Sequence, residues 1–386
     1  MAVVYKATLV MLAALTPVTA NWKNMSSPSA ASLLPPKNKP FVELEDLPDY
    51  LLQQPRNASS PSERRRRRRR LQARAPGQRM SEFEAAAQKL RKDVSQLYDG
   101  ASADSFLADV KWYDEAQQDG KIVARLLRAL VLGDEKFVIV VGGMSDTAGH
   151  GNKAAEAYPM VMKAALEPVF EAAGVQLIVR NLAMGGVPSF PNSLCMADAF
   201  GADADLVIWD FRMVEHDDLK GELYLRQALM MPRAPAVMFK RPLRYLPQVG
   251  PIYAKVASLH VIDETPLHSR LLAAKNSGLT ADSFCAAKCA CPGQVRWHAG
   301  HKTHRLRGLQ MALVYAGMLG KAAAKYKELL RAAGGAPLTA AQAPAVPGLG
   351  GVPPLPLPRA KHGTLRTADF AVTPFKCGLS WSPRVG

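Results

Sequence analysis

Between Lys121 and Ala333 short apolar, β-branched runs alternate with helical stretches, and this alternation restricts the fold more than any other feature of the chain. The first run, Phe137-Val-Ile-Val-Val141, has no polar position and closes on Gly142-Gly143. A strand without polar alternation is covered on both faces, as in a parallel sheet. The pattern then predicts a helix over 153–173, a strand over 175–182, and a third strand over 206–209 closed by Asp210. A helix beginning near Leu219, a strand over 234–239 and a shorter strand over 259–262 follow, and a long final helix runs from Thr303 to Ala333. Strand–helix units at this spacing build an α/β domain whose mostly parallel sheet carries helices on both faces. Ligands of such sheets bind beyond the carboxyl ends of the strands. The residues just after each strand are therefore the ones to read for chemistry.

The flanks of the 386-residue chain have other compositions. Residues 1–20 place Lys6 before the apolar run Ala7 to Ala14 and end in Val18-Thr19-Ala20, the layout of a secretory signal peptide. An uncleaved signal-anchor is the alternative, and it would associate the chain with a membrane. The sequons at Asn24 and Asn57 agree with a secretory route to a secreted or lumenal destination. Residues 21–80, rich in Ser, Pro, Lys and Arg, read as a disordered linker. Arg64 to Arg70 carry seven of the +16 formal charges, leaving +9 elsewhere. Without aromatic interleaving or a nucleic-acid motif this block predicts a solvated segment and no specific nucleic-acid partner.

The domain itself is expected over 81–333, with a helical lead-in at 81–97 and 120–132. Residues 334–360, with Pro353-Pro354-Leu-Pro356-Leu-Pro358, read as a Pro/Ala-rich linker, and 361–386 as a C-terminal tail. Cys285-x3-Cys289-x-Cys291 lacks the second pair or the His-x3-His that zinc requires, so no metal is expected. In a secretory chain disulfides among these three, Cys195 and Cys377 are the expectation.

After the first strand comes Gly143-Met144-Ser145-Asp146-Thr147-Ala148-Gly149-His150-Gly151. The glycines permit a tight strand-to-helix turn, and a serine there presents its hydroxyl at a helix start, where backbone N–H groups face outward. Such a turn also suits a phosphate, yet it lacks the Lys-Ser/Thr of a P-loop. Ser145 can equally serve as a plain helix cap. His150 is a candidate base only five residues on.

Gly143-x-Ser145-x-Thr147-x-Gly149 resembles the first block of the SGNH (GDSL-type) hydrolases, in which the nucleophilic serine follows the first strand. Asn181-Leu-Ala-Met-Gly185-Gly186 is similar to the second block, and Trp297-His298-Ala-Gly-His301-Lys-Thr-His304 to the last, which stands before the final helix. The resemblance spans about 137–333. It implies a three-layer, flavodoxin-like sandwich with five strands and a serine esterase or acyl hydrolase that needs no cofactor. The ester would carry an acyl or acetyl group on a carbohydrate or lipid. Ser145 would be the nucleophile and His298 the base, and the N–H groups of Ser145 and Gly186 would form the oxyanion hole, with Gly185 close behind.

Three positions depart from the pattern. Met144 replaces the Asp before the nucleophile; Val214 stands where the family places an Asn that donates to the oxyanion; Val295 stands where the family's Asp orients the base. Asp146, Asp210 and Asp282 are the carboxylates that could replace the last. These departures leave two alternatives open: a weakened member of the fold that binds a glycan or other ligand, and an acyltransferase. A metal set from His298, His301 and His304 has no supporting carboxylate. Trp209 and Trp297 read as packing residues.

Overall fold

The computed structural model describes residues 74–113, 120–133, 136–190, 192–215, 217–242, 246–274, 279, 298–349 and 353–367. The expectations for the signal segment, the sequons, the arginine block, Asp282, Val295, Trp297 and four of the five cysteines fall outside them. Cys195 is disulfide-bonded.

Six strands form one sheet: β1 Val110–Trp112, β2 Lys136–Gly143, β3 Gln176–Asn181, β4 Leu206–Asp210, β5 Ala236–Lys240 and β6 His260–Ile262. Their order is β1-β6-β5-β4-β2-β3, with β2 through β6 parallel and β1 antiparallel on β6. The five expected strands are present, and β1 adds an antiparallel edge. At three residues, of which Lys111 is exposed, β1 carries too little periodicity to be read from sequence.

Among the described residues, seven helices have ten residues or more. They are α1 Pro76–Leu97, α2 Gly120–Leu132, α3 Tyr158–Ala173, α4 Asp218–Met230, α5 Leu246–Ala257, α6 Glu264–Ala273 and α7 His301–Ala332. Alternate strand residues feed two cores. Phe137, Ile139 and Val141 join the core under α1, α2, α3 and α7, whereas Val138 and Val140 join the one under α4 and α5. Both faces of β2 are thus covered, which explains its unbroken apolar run. The result is a three-layer α/β sandwich.

Packing continues past Ala333. Val346 and Leu349 are buried, and the carboxylate of Glu222 on α4 accepts from the N–H groups of Lys361 and His362 at 2.6 and 2.9 Å. Leu365 is buried with Leu223 and Ala360. The proline-rich stretch is therefore anchored through its backbone, by contacts that a composition reading does not reveal.

The five parallel strands alone run second-first-third-fourth-fifth across the sheet, the flavodoxin-like order. β2 is the switch point, because the chain moves from it to β3 on one side and later to β4 on the other. A crevice is expected beyond its carboxyl end, between the loops after β3 and β4.

Candidate active site

β2 ends at Gly143, and the chain turns through Met144 into the single helical turn Ser145–Ala148. Gly143 tolerates no side chain, since a Cβ there would lie 2.6 Å from the Cβ of Thr147. Gly149 closes the turn at φ 82°, in the left-handed region open to glycine. The two glycines force the chain to reverse tightly, leaving Ser145 half-buried at the end of the central strand.

The loop after β3 lies alongside. Leu182 and Met184 donate to the carbonyls of Val141 and Gly143 at 2.9 and 3.0 Å, which prolongs the ladder past Asn181. The Asn181 amide donates to the Thr147 carbonyl at 3.2 Å and ties that loop to the serine turn. A Cβ on Gly185 would sit 3.7 Å from the Cβ of Ser145. Gly186 is left-handed at φ 72°, exposed, with nothing within 4 Å of the place a Cβ would take. It is thus Gly185 whose Cα faces the serine.

His298 comes from the far end of the chain, three residues before α7. Its Nε2 lies 2.8 Å from Ser145 Oγ, and the ring is buried. The segment that carries it is held through the next residue. The Ala299 N–H donates to Asp146 Oδ1 at 2.9 Å, and the Asn152 amide donates to the Ala299 carbonyl at 2.9 Å. Asp146 is in turn held by Arg307 of α7, Nη1 to Oδ2 at 2.5 Å. Burial would raise the Asp146 carboxyl, but the charge of Arg307 and the Ala299 N–H hold it well below the usual carboxylate range. For His298, burial lowers the imidazole below its ordinary 6.5; Asp146 opposes this and His150 adds to it.

The other histidines take different places. The His150 ring is 4.8 Å from that of His298 and tilted by 45°, while its backbone N–H donates to the Ser145 carbonyl at 2.9 Å. His304 is fully buried, and its Nδ1 accepts from the Tyr158 N–H at 3.2 Å. Burial, with Arg307 beside it, lowers His304 to about 3 and keeps it neutral. Among the described residues no three His, Cys, Asp or Glu side chains are grouped so as to hold a metal.

Beneath the serine turn the strand ends carry charge. Asp210, at the end of β4, accepts from Thr147 Oγ1 at 2.7 Å and from the Tyr158 hydroxyl at 2.9 Å. Burial raises its carboxyl against the opposing charge of Lys240. Lys240, at the end of β5, pairs with Glu264, which also takes Arg241 at 2.5 Å and Arg307 Nε at 2.8 Å. Three carboxylates, Asp146, Asp210 and Glu264, therefore stand against three cations, Lys240, Arg241 and Arg307. Of the substitute carboxylates named from sequence, Asp146 reaches the histidine segment, and Asp210 is engaged by Thr147 and Tyr158. Arg307, Asn152 and Tyr158 were not legible as site residues. The one available signal was a cation, Arg307, on the apolar face of α7.

The loops after β3 and β4 leave large apolar side chains open to solvent. Met184, Met213 and Val214 are 41, 45 and 44% exposed, and they are three of the five large hydrophobics left open among the described residues. Met184 follows β3, and Met213 and Val214 follow β4, so both loops that flank the switch point contribute.

Fold and site together define a parallel α/β sandwich with a serine–histidine pair at its switch point. Comparisons with protein-family models and with curated protein sequences return no match. Among solved structures, a two-domain esterase (CEX) active on acetylated mannans is similar at 15% identity and a TM-score of 0.39, over 54% of this chain and 55% of that one. The same esterase co-crystallised with mannopentaose is similar at 16% and 0.37, over 49% and 52%. The chain spans about half the length of that protein, and the likeness is too slight to carry an argument about activity.

Proposed function

We propose that the chain is a serine esterase of the SGNH type, in which His298 takes the proton of Ser145 as the hydroxyl attacks an ester carbonyl. The observation that carries this reading is the 2.8 Å approach of His298 Nε2 to Ser145 Oγ, made across 153 residues by groups at the switch point. A bare helix cap needs no histidine on its oxygen. The proton then passes from His298 to the leaving alcohol, and water attacks the acyl-enzyme in the reverse sequence. The N–H of Ser145 and those of the Gly185-Gly186 stretch are the donors proposed for the oxyanion. Incubation with a fluorophosphonate, followed by peptide mass analysis, is expected to place the label on Ser145. Labelling elsewhere, or none, refutes the reading. One observation favours a second reading, a glycan-binding or other ligand-binding role: Val214 brings no side-chain donor to the place of the family's Asn. Retained ligand binding without any label would support it.

A general base must be neutral, and His298 is held below 6.5. The acid limb of kcat/KM is therefore expected below pH 6.5, with activity retained above it. A pH profile checks this, and a midpoint above 7 contradicts it.

Met184, Met213 and Val214, open on the loops that flank the strand carrying Ser145, support an acyl group longer than acetyl. Each buried methylene contributes up to about 0.8 kcal/mol, so four half-covered ones give roughly 1.6 kcal/mol, about 10-fold in kcat/KM. Hexanoyl esters are expected to exceed acetyl esters by that factor, and Met213→Ser with Val214→Ser to remove most of the difference.

A further inference from the structure

The Gly185-Gly186 stretch, which carries the oxyanion donors of the proposed esterase, is suspended between two fixed points. Before it, the Met184 N–H donates to the Gly143 carbonyl at 3.0 Å, on the strand that ends in the serine turn. After it, the Ser189 N–H donates at 3.2 Å to Oε2 of Glu215, which belongs to the loop after β4. Neither glycine is buried, and Val187 and Pro188 are half-buried. The stretch therefore takes its position from its ends more than from packing of its own.

The second anchor is built to hold. Glu215 and Ser189 are both buried, and a buried carboxylate is costly unless donors reach it. Burial raises the Glu215 carboxyl, and Ser189, Lys220 and the Phe190 N–H oppose that rise. The Val214 and Glu215 N–H groups both donate to the Phe211 carbonyl, at 3.1 and 3.0 Å, and Phe211 is packed in the core under α4 and α5. Glu215 is thus referenced to the sheet just past the end of β4. Beyond Ser189 the other loop is fixed as well. The Ser193 N–H donates to the Ser189 carbonyl at 2.7 Å, and Phe190 and Leu194 pack against Leu223, Ala360 and Leu365. We propose that Glu215 is the positioning residue for the oxyanion donors, tying the loop after β3 to the end of β4 through Ser189 so that Gly185-Gly186 stays against Ser145. A donor stabilises the oxyanion only where that oxygen forms, so its placement bears on the transition state more than on substrate binding.

This proposal rests on the esterase reading, and its test separates the two. With the full chain and p-nitrophenyl acetate, kcat and KM are measured well below Tm for the wild type, Ser145→Ala, Glu215→Ala, Glu215→Gln and Glu215→Asp. A donor displaced by up to about 1 Å costs on the order of 10- to 100-fold, so Glu215→Ala is expected to lower kcat by that factor with KM little changed. Glu215→Gln keeps an acceptor at the same reach and is expected to restore kcat to within about 3-fold of the wild type. Glu215→Asp keeps the charge but withdraws it by one methylene, and its kcat is expected to fall below that of the glutamine variant. A merely structural role would lower Tm and leave the kcat of the folded protein unchanged. Wild-type kcat in Glu215→Ala, or a glutamine variant no better than the alanine one, overturns the proposal. Turnover that survives Ser145→Ala overturns the esterase reading instead. Should Glu215→Ala fail to fold, Glu215→Asp decides, and a kcat equal to or above that of Glu215→Gln overturns the proposal. Should the wild type turn over no ester, hydrogen exchange of the backbone amides in Glu215→Asp decides. Faster exchange over 185–189 with α3 unchanged supports the proposal, and unchanged exchange over 185–189 refutes it.

Discussion

Ser145→Ala is expected to lower kcat/KM on short p-nitrophenyl esters by on the order of 10⁴-fold or more while leaving thermal stability nearly unchanged. The chemistry requires the hydroxyl, and nothing beside it can replace that group. Thr147 Oγ1 is committed to Asp210 at 2.7 Å, and the Tyr158 hydroxyl, at 2.9 Å from the same carboxylate, is pushed well above its usual range by burial. Neither is a nucleophile in waiting. The hydroxyl contributes little to folding, because Ser145 is only half-buried and the turn is held by the Ala148 N–H to the Met144 carbonyl at 2.8 Å, by Gly149 and by Asn181. His298→Ala should cost about as much, and the double variant no more than either single one, since the two groups act as a unit. Kinetics on the three variants, beside their melting curves, check this. Losses that add across the pair, or a drop in stability that parallels the drop in rate, would mean that Ser145 is a structural cap.

How much of this was legible in the sequence depends on the range of the interaction. β2 could be read because a strand buried on both faces has no polar position, and the serine turn because Gly143 and Gly149 answer to local steric demands. α5 was harder to read, since Pro247 and Pro251 interrupt the helical pattern although the helix packs Val249 and Tyr253 into the core. His298 could be placed only by the order of blocks, because its partner lies 153 residues away. Asp146 could be named only as one of three carboxylates, for a carboxylate one residue after a serine has no preferred partner until the chain brings Arg307 and the Ala299 peptide to it. The same holds for the cations at the strand ends. Lys240 terminates an apolar run, and only the pairing of β5 with β6 sets it beside Glu264.

Glu264→Ala is expected to destabilise the domain by about 3–5 kcal/mol, the cost of leaving buried charges without their partner. Glu264 is 3% exposed and is met by Lys240, Arg241 and Arg307. Removing it leaves Arg307 on Asp146, Arg241 with Asp263 at 4.0 Å, and Lys240 with only the longer-range charge of Asp210. Burial already lowers the Lys240 ammonium, so in the variant this lysine is expected to shed its proton rather than stay charged, which limits the loss. By contrast Lys89 with Asp93, an exposed pair four residues apart on α1, is worth roughly 0.3–0.5 kcal/mol. For a domain of this size each kcal/mol shifts Tm by about 2–4 °C, so the Glu264 variant should melt on the order of 10 °C lower and the Lys89→Ala variant within about 2 °C of the parent. Urea denaturation of both variants measures the difference. Glu264→Gln separates shape from charge, because it keeps an acceptor for Arg307 Nε and loses only the ionic part. If it is as stable as the parent, the three cations are held by hydrogen bonds and solvent rather than by the Glu264 charge. If it falls with the alanine variant, the charge balance beneath the serine turn is what allows so many ionised groups to sit at the ends of the strands. Arg307, and through it Asp146 and His298, then inherits its position from that balance, and the activity of Glu264→Gln measured well below its Tm should fall together with its stability.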